Sequence, residues 1–380
     1  MPDSRNKFRL TRFILLRFSW VLKFFAKFRQ PRRRILIIKL DAIGDYILFR
    51  NYLQFLHESH RFQDYEIELL GNQIWKDIAL KYDNQFVSKF HFINEKPLYQ
   101  KPLDVLRIGW MLFKRNYEVV LQSTYSRTLV GNGLAGLAAA KETIAFNSLH
   151  ELYPEYKKQA DKLYSTLLTL PESAFHEYHR NENFFKQITT QKQVPFAMPS
   201  LPVINQKREV ILIFPGSSVH KRNWEKNKFI EIIKRLLDTT NLPIIIAGGY
   251  SEIPISSYIF DQLPASERLK NETGKSTLPD LIELIANSKF IISNETSAIH
   301  IAAATRTPSV CILGGGHFER FTPYPESMEF KPVCVYQPMD CYNCDWKCKF
   351  NTSPEEPFPC ISGVSIESVW MEVQHHLDTL

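Results

Sequence analysis

Short apolar runs recur along the chain, each followed by a polar turn and then by a stretch with helical spacing. Arg34-Ile35-Leu36-Ile37-Ile38-Lys39-Leu40 predicts a buried first strand. The turn Asp41-Ala42-Ile43-Gly44-Asp45 follows, and residues 46–58 then predict a helix with Ile47, Tyr52, Phe55 and Leu56 among its apolar positions. Strands are predicted at 66–70 and 117–122, with a helix at 105–114 before the latter. Residues 131–140 are rich in Gly and Ala and predict a closely packed helix or loop. A second series begins at a strand over 210–214, with a turn at Pro215-Gly216-Ser217-Ser218 and a helix over 228–237. It continues with a strand over 243–247 ending in Gly248-Gly249, and a helix over 278–286. A strand over 290–292, a helix of small residues over 300–305 and a strand over 310–313 close it. Pro195, Pro199 and Pro202 lie between the series and predict a linker. Alternating strands and helices imply parallel, doubly wound sheets, and two such series imply two domains with a ligand cleft between them.

The first 34 residues depart from this pattern. They hold eleven Lys/Arg and one acid, Asp3, so the segment is net +10 while the whole chain is +7 and the remainder net −3. Its middle is apolar, with Phe13 to Leu16, Phe18, Trp20, Val21, Leu22, Phe24 and Phe25. Arg17 and Lys23 interrupt that run, which is too short to span a bilayer. Charges inside the apolar region and the lack of a small-residue cleavage site exclude an ordinary signal peptide. At 100° per residue Arg5, Arg9, Arg12, Lys23 and Lys27 share one side. The segment 1–33 therefore best fits a basic amphipathic helix on an anionic membrane surface, the alternatives being a packed N-terminal helix or a solvated arm. A net acidic remainder argues against a nucleic-acid-binding face.

Three turns carry candidate chemistry. Gly44-Asp45 ends the first strand, where open α/β sheets meet their ligands; Asp45 reads as a general base or as a helix-capping carboxylate. Ser217 and Ser218, with Lys221, Arg222 and Trp224 close behind, read as a phosphate-binding turn or as a solvated basic loop. Asn294-Glu295-Thr296-Ser297-Ala298-Ile299-His300 places polar residues at a helix start, where unpaired N–H groups favour an anion; an ordinary helix cap has the same pattern. Neither a Walker A pattern nor an Asp-x-Asp pair occurs. Four of the six cysteines, Cys341, Cys344, Cys348 and Cys360, fall within twenty residues, a spacing that suits Zn or Fe thiolate coordination or unmetallated loop thiols.

Taken together these motifs resemble glycosyltransferase family 9, the bacterial heptosyltransferase family. The resemblance covers about 34–369. It rests on the strand and Gly-Asp turn through Asp45, on Pro215-Gly216 with Lys221-Arg222-Asn223-Trp224, and on 294–300 followed by Pro308. Cys341, Cys344, Cys348 and Cys360-Ile361-Ser362-Gly363-Val364 match the late cysteine cluster of many members. The chain departs from the family pattern at Glu295, where Asp is usual, at Ser297, where Gly is usual, and in its two adjacent cations, Lys221 and Arg222.

The resemblance implies a GT-B fold: an acceptor-binding Rossmann-like domain at 34–195 and a nucleotide-sugar-binding one at 196–380, carrying the cysteine cluster at 341–360. It implies inverting, metal-independent transfer from a nucleotide-sugar donor, ADP-heptose or another, to a hydroxyl of a lipopolysaccharide-type or other surface glycan. Asp45 would deprotonate the acceptor, and Lys221 or Arg222 would neutralise the leaving diphosphate. Gly44, Gly216, Ser217, Ser218, Glu252, Ser276, Glu295, Thr296, Ser297 and His300 would line the substrates, with Glu252 on the ribose and Glu295 on the sugar. The enzyme would work in the cytoplasm, peripheral on the inner face of the inner membrane, and no nucleic acid is expected as a partner. A nucleotide-sugar epimerase on the same fold and a non-enzymatic nucleic-acid-binding protein are the competing readings.

Overall fold

The structure, a computed structural model, describes residues 3–147, 154–191, 198–203 and 208–379. The chain divides into two compact units, one formed by Met1–Ala174 and Tyr178–Pro195, the other by Phe175–Glu177 and Phe196–Leu380. The expected linker prolines fall partly outside the described residues: Pro195 is among those not described, whereas Pro199 and Pro202 are.

Among the described residues the first unit carries a six-stranded parallel sheet. Its strands are β1 (Arg32–Lys39), β2 (Glu66–Asn72), β3 (Lys89–Ile93), β4 (Tyr117–Gln122), β5 (Glu142–Phe146) and β6 (Thr166–Leu168). The order is β3-β2-β1-β4-β5-β6. The second unit repeats the plan with β7 (Val210–Phe214), β8 (Ile244–Ile246), β9 (Leu269–Asn271), β10 (Ser288–Asn294), β11 (Ser309–Ile312) and β12 (Val333–Val335), in the order β12-β11-β10-β7-β8-β9. Both are the doubly wound order, and the strand order reverses beside β1 in one sheet and beside β7 in the other. The central strands are apolar because helices cover both faces: Ile35 to Ile38, Ile211 to Ile213 and Phe290 to Ile292 are buried.

The helix expected over 46–58 is two helices, Ile43–Phe49 and Asn51–Glu58. Arg50 marks the join, and its guanidinium pairs with buried Asp83 at 2.7 Å. β1 starts at Arg32, inside the segment expected to precede the fold.

That N-terminal segment is helical over Asp3–Phe13 and Ser19–Ala26, with a π turn at Ile14–Phe18 between them. The π turn holds one extra residue, which rotates the faces on either side. Ile14, Leu15 and Leu16 are consecutively buried, and Leu22 follows, all in one core with Leu134, Leu137 and Leu163. Gly133 lets the helix in: a Cβ there would stand 2.5 Å from the Leu15 Cβ. The segment is thus part of the first unit's core and not a free arm. The expected basic side is also revised. Lys23 turns inward and donates to the Leu163 carbonyl at 2.9 Å, and burial lowers its pKa. Phe13, Trp20, Val21, Phe24, Phe25 and Phe28 are exposed instead. No described helix is long and apolar enough to cross a membrane.

Candidate functional site

β7 and β10 are neighbours at the order reversal of the second sheet, with Ser293 beside Phe214. Their carboxyl ends therefore deliver Pro215–Ser218 and Asn294–His300 side by side. Asn294 locks the two loops together. Its amide donates to the Pro215 carbonyl at 2.7 Å, and its Oδ1 accepts from the Trp224 N–H at 2.9 Å. Trp224 is held in turn by the Val364 carbonyl at 3.0 Å. Arg222 lies two residues before this anchored backbone.

Arg222 Nη2 donates to the Glu295 carbonyl at 3.2 Å and to its carboxylate at 3.3 Å. The guanidinium lies over Trp346, 4.4 Å from the ring centroid, and its Nε has no partner among the described residues. Thr322 donates to the other Glu295 oxygen at 3.1 Å. Burial dominates at Glu295 and raises its pKa to about 7, against the pull of Arg222 and Thr322. Lys221 goes elsewhere: its ammonium donates to the Thr352 hydroxyl at 2.9 Å and carbonyl at 3.2 Å. Of the two expected cations, only Arg222 meets the residues of the β10 loop.

Thr296 caps the helix Ser297–Ala304 by accepting from the Ala298 N–H. Thr296 and Ser297 are half-buried, and Ser218 is exposed. Ser217 is engaged within its own loop, its hydroxyl 2.8 Å from the Val219 carbonyl and 2.7 Å from Asn223 Oδ1, with one proton to share between them. Glu252 packs directly on Gly216, where an added Cβ would stand 2.6 Å from Glu252 Cγ. Its carboxylate accepts from the Gly249 N–H at 2.7 Å, and burial raises its pKa. Ser276 is exposed on a turn joined to this loop by the Gly274 N–H to Gly248 carbonyl bond, 2.9 Å. His300 stands behind the helix start, buried, 2.9 Å from the Tyr324 hydroxyl. Burial, with His176 and Arg222 near, lowers its pKa to about 3. That environment favours the neutral imidazole.

The four clustered cysteines line one small cavity with Tyr342, Trp346 and Phe358. Gly315 and Gly316 make room for this loop, since a Cβ at Gly315 would stand 2.0 Å from the Tyr342 ring and one at Gly316 2.2 Å from Trp346. Burial raises the Cys360 pKa, and the other three thiols add to the rise. No three His, Cys, Asp or Glu side chains among the described residues are arranged to hold a metal ion. The donors expected for Zn or Fe thus share a cavity without forming a coordination shell. The loop has a second connection, because its Trp346 is the ring beneath Arg222.

In the first unit Gly44 and Asp45 lie in the first turn of the helix Ile43–Phe49, whose N-cap is Ala42. Asp45 is half-buried at the carboxyl end of β1. Sequence reasoning missed the polar cluster built on Asp41, just after β1. Fully buried Lys39 pairs with Asp41 at 2.8 Å, and Thr124 donates to the same Asp41 oxygen at 2.8 Å. Trp75 Nε1 donates to the Asp41 carbonyl at 3.1 Å. Burial raises the Glu95 pKa to about 7, with the Asp41 charge contributing to the rise. The available signal was Lys39 itself, since a charge in a buried strand requires a partner.

Residues 154–347, just over half of the chain, match the family model of glycosyltransferase family 9 (heptosyltransferase). Lipooligosaccharide heptosyltransferase 2 of Haemophilus influenzae is 26% identical over 111 residues, 28% of this chain and 32% of that protein. The Campylobacter jejuni protein of the same name is 21% identical over 192 residues, 50% of this chain and 58% of its own length. The matches thus span less than two thirds of these curated relatives. The solved Escherichia coli ADP-heptose lipopolysaccharide heptosyltransferase II superposes with a TM-score of 0.68 at 16% identity, covering 91% of this chain and 99% of that one. That likeness establishes the fold, two doubly wound units of GT-B type. The chain belongs to glycosyltransferase family 9.

Proposed function

We propose that this protein is an inverting glycosyltransferase that moves a sugar from a nucleotide-sugar donor to a glycan hydroxyl. The observation that carries the reading is Arg222, held on Trp346 and Glu295 beside a capped helix start, with its Nε donor unspent. A leaving diphosphate develops negative charge as the bond to the anomeric carbon breaks. A fixed guanidinium and the N–H groups at the start of Ser297–Ala304 would stabilise that charge. Asp45 would take the proton from the acceptor hydroxyl, whose oxygen attacks the anomeric carbon from the face opposite the leaving group. Inversion follows from that displacement. Glu295 would accept hydrogen bonds from donor-sugar hydroxyls, and Glu252 with the Ser276 turn would hold the nucleoside. Lys221 is assigned to the cysteine loop and Arg222 to the diphosphate.

ADP-heptose is the first donor to test, because the solved relative is named for it. The acceptor would be a lipopolysaccharide-type glycan at the inner face of the inner membrane. The exposed aromatic side of the N-terminal helix supports an anionic membrane surface as partner. A structural Zn or Fe ion would require the four thiols, which share a cavity but form no coordination shell, to close on it; elemental analysis of protein purified without a metal-affinity tag tests this. Melting temperatures with ADP-, GDP- and UDP-sugars test the donor. A rise with one sugar nucleotide that is lost in Arg222→Ala supports the site, and no rise with any donor overturns it.

A further inference from the structure

A surface cavity of about 260 Å³ lies against the N-terminal helix, lined by Arg9, Arg12, Phe13, Leu16, Arg17, Tyr156 and Gln159. Three of its seven lining residues are arginines and none is acidic. Arg12 is preset: it donates to the Tyr156 hydroxyl and lies over that ring, 5.0 Å from the centroid. Arg9 and Arg17 are exposed and form no hydrogen bond or ion pair among the described residues. Three guanidiniums around one concavity repel one another unless an anion joins them, and planar fork donors match the oxygens of phosphate. The cavity also opens beside apolar surface. Phe13, on its rim, is 58% exposed, and the same helix exposes Trp20, Val21, Phe24 and Phe25. Phe24 meets Phe25 and Phe28 at 5.7 and 5.5 Å. Exposed aromatic groups beside arginines suit the boundary between lipid headgroups and acyl chains.

We propose that Arg9, Arg12 and Arg17 form a binding site for the phosphate group of a membrane lipid, which the neighbouring aromatic residues bring within reach. The site lies wholly within the first unit and is separate from the residues assigned to the donor. It rests on the membrane-surface reading of the N-terminal helix and adds the group recognised. Arg12 has a structural partner, so the test uses the two exposed arginines.

Full-length protein is titrated with phosphatidylcholine vesicles carrying phosphatidic acid, or carrying oleate at equal surface charge. Arg9→Gln/Arg17→Gln is compared with Lys89→Gln/Lys96→Gln, an equal charge loss at exposed positions of the same unit. The arginine variant should lose about thirty-fold in affinity for phosphatidic acid vesicles, at roughly one anionic contact per residue. The lysine control should lose far less, and oleate vesicles should separate the two variants little. Equal losses in both variants overturn the site while leaving the membrane reading standing. Absence of binding by wild type to every anionic vesicle removes the membrane reading first. Inorganic phosphate alone is a further arm. If it stabilises wild type but not the arginine variant while vesicles are ignored, the ligand is free phosphate and the lipid assignment fails.

Discussion

Replacing Arg222 with Ala should be far more damaging than replacing Lys221, and the structure fixes how the two differ. Arg222 is held by Glu295 at 3.3 Å and by the Trp346 ring, whereas Lys221 holds Thr352. If Arg222 meets the diphosphate as proposed, its loss removes a charge-assisted contact worth about 1.5–3 kcal/mol, or roughly 10- to 150-fold in donor affinity. If the same guanidinium stabilises charge on the leaving group, kcat falls by a further factor of about 10²–10³. It also strips Glu295 of its cation. That carboxyl already holds its proton to about pH 7, so the variant should carry it neutral across the physiological range. Lys221→Ala should loosen the loop around Thr352 and lower the melting temperature while leaving donor affinity within a few-fold of wild type. Calorimetric titration with the nucleoside diphosphate separates the two variants without needing the acceptor. Equal donor affinity in Arg222→Ala and wild type would refute the assignment, and a larger loss in Lys221→Ala would reverse it.

Other outcomes follow from the same residues. Asp45→Asn should lower transfer by roughly 10²–10⁴ with donor affinity nearly unchanged, measured by steady-state kinetics and titration together; near wild-type turnover removes it as the base. Leu15→Ala should destabilise the protein by about 2–5 kcal/mol in urea unfolding, as expected for a fully buried leucine, because it packs on Gly133. A loss below about 1 kcal/mol would mean that the N-terminal helix is an appendage after all. Glu295 binds its proton more tightly folded than unfolded, its pKa rising from 4.5 to about 7. Its contribution to stability is therefore complete below about pH 4.5 and is lost as pH rises through about 7. Wild type should lose melting temperature relative to Glu295→Gln between pH 5 and 8; parallel curves would show that Glu295 is already ionised at pH 5.

Much of the fold was legible because parallel strands buried on both faces read as plain apolar runs. Val210–Phe214 and Tyr117–Gln122 have the expected bounds, as does the helix Leu278–Ala286 with its Thr277 cap. Outer strands were missed. β9 (Leu269–Asn271) and β12 (Val333–Val335) are three residues long, too short for a period to show. The N-terminal helix was read with a regular 100° step, and the π turn at Ile14–Phe18 breaks that step. This is why Lys23 was expected outside and lies inward. At the site, the turns were legible as strand ends followed by Gly, Ser and Asp. The division of labour between Lys221 and Arg222 was not, because adjacent residues on one short turn point in directions set by distant partners, Thr352 for one and Glu295 for the other. His300 shows the same limit: its spacing marks the helix, but its neutrality comes from burial against Tyr324.

The most direct test of the central claim is a single reaction: full-length protein, ADP-heptose and a lipopolysaccharide-core acceptor, with nucleotide release and acceptor mass followed together. The proposed site predicts an acceptor heavier by one sugar, an equal amount of free nucleoside diphosphate, and an anomeric configuration opposite to that of the donor. Asp45→Asn should bind the donor and form neither product. Conversion of a nucleotide sugar in the absence of any acceptor, with the diphosphate still attached, would contradict glycosyl transfer and identify an epimerase on this fold.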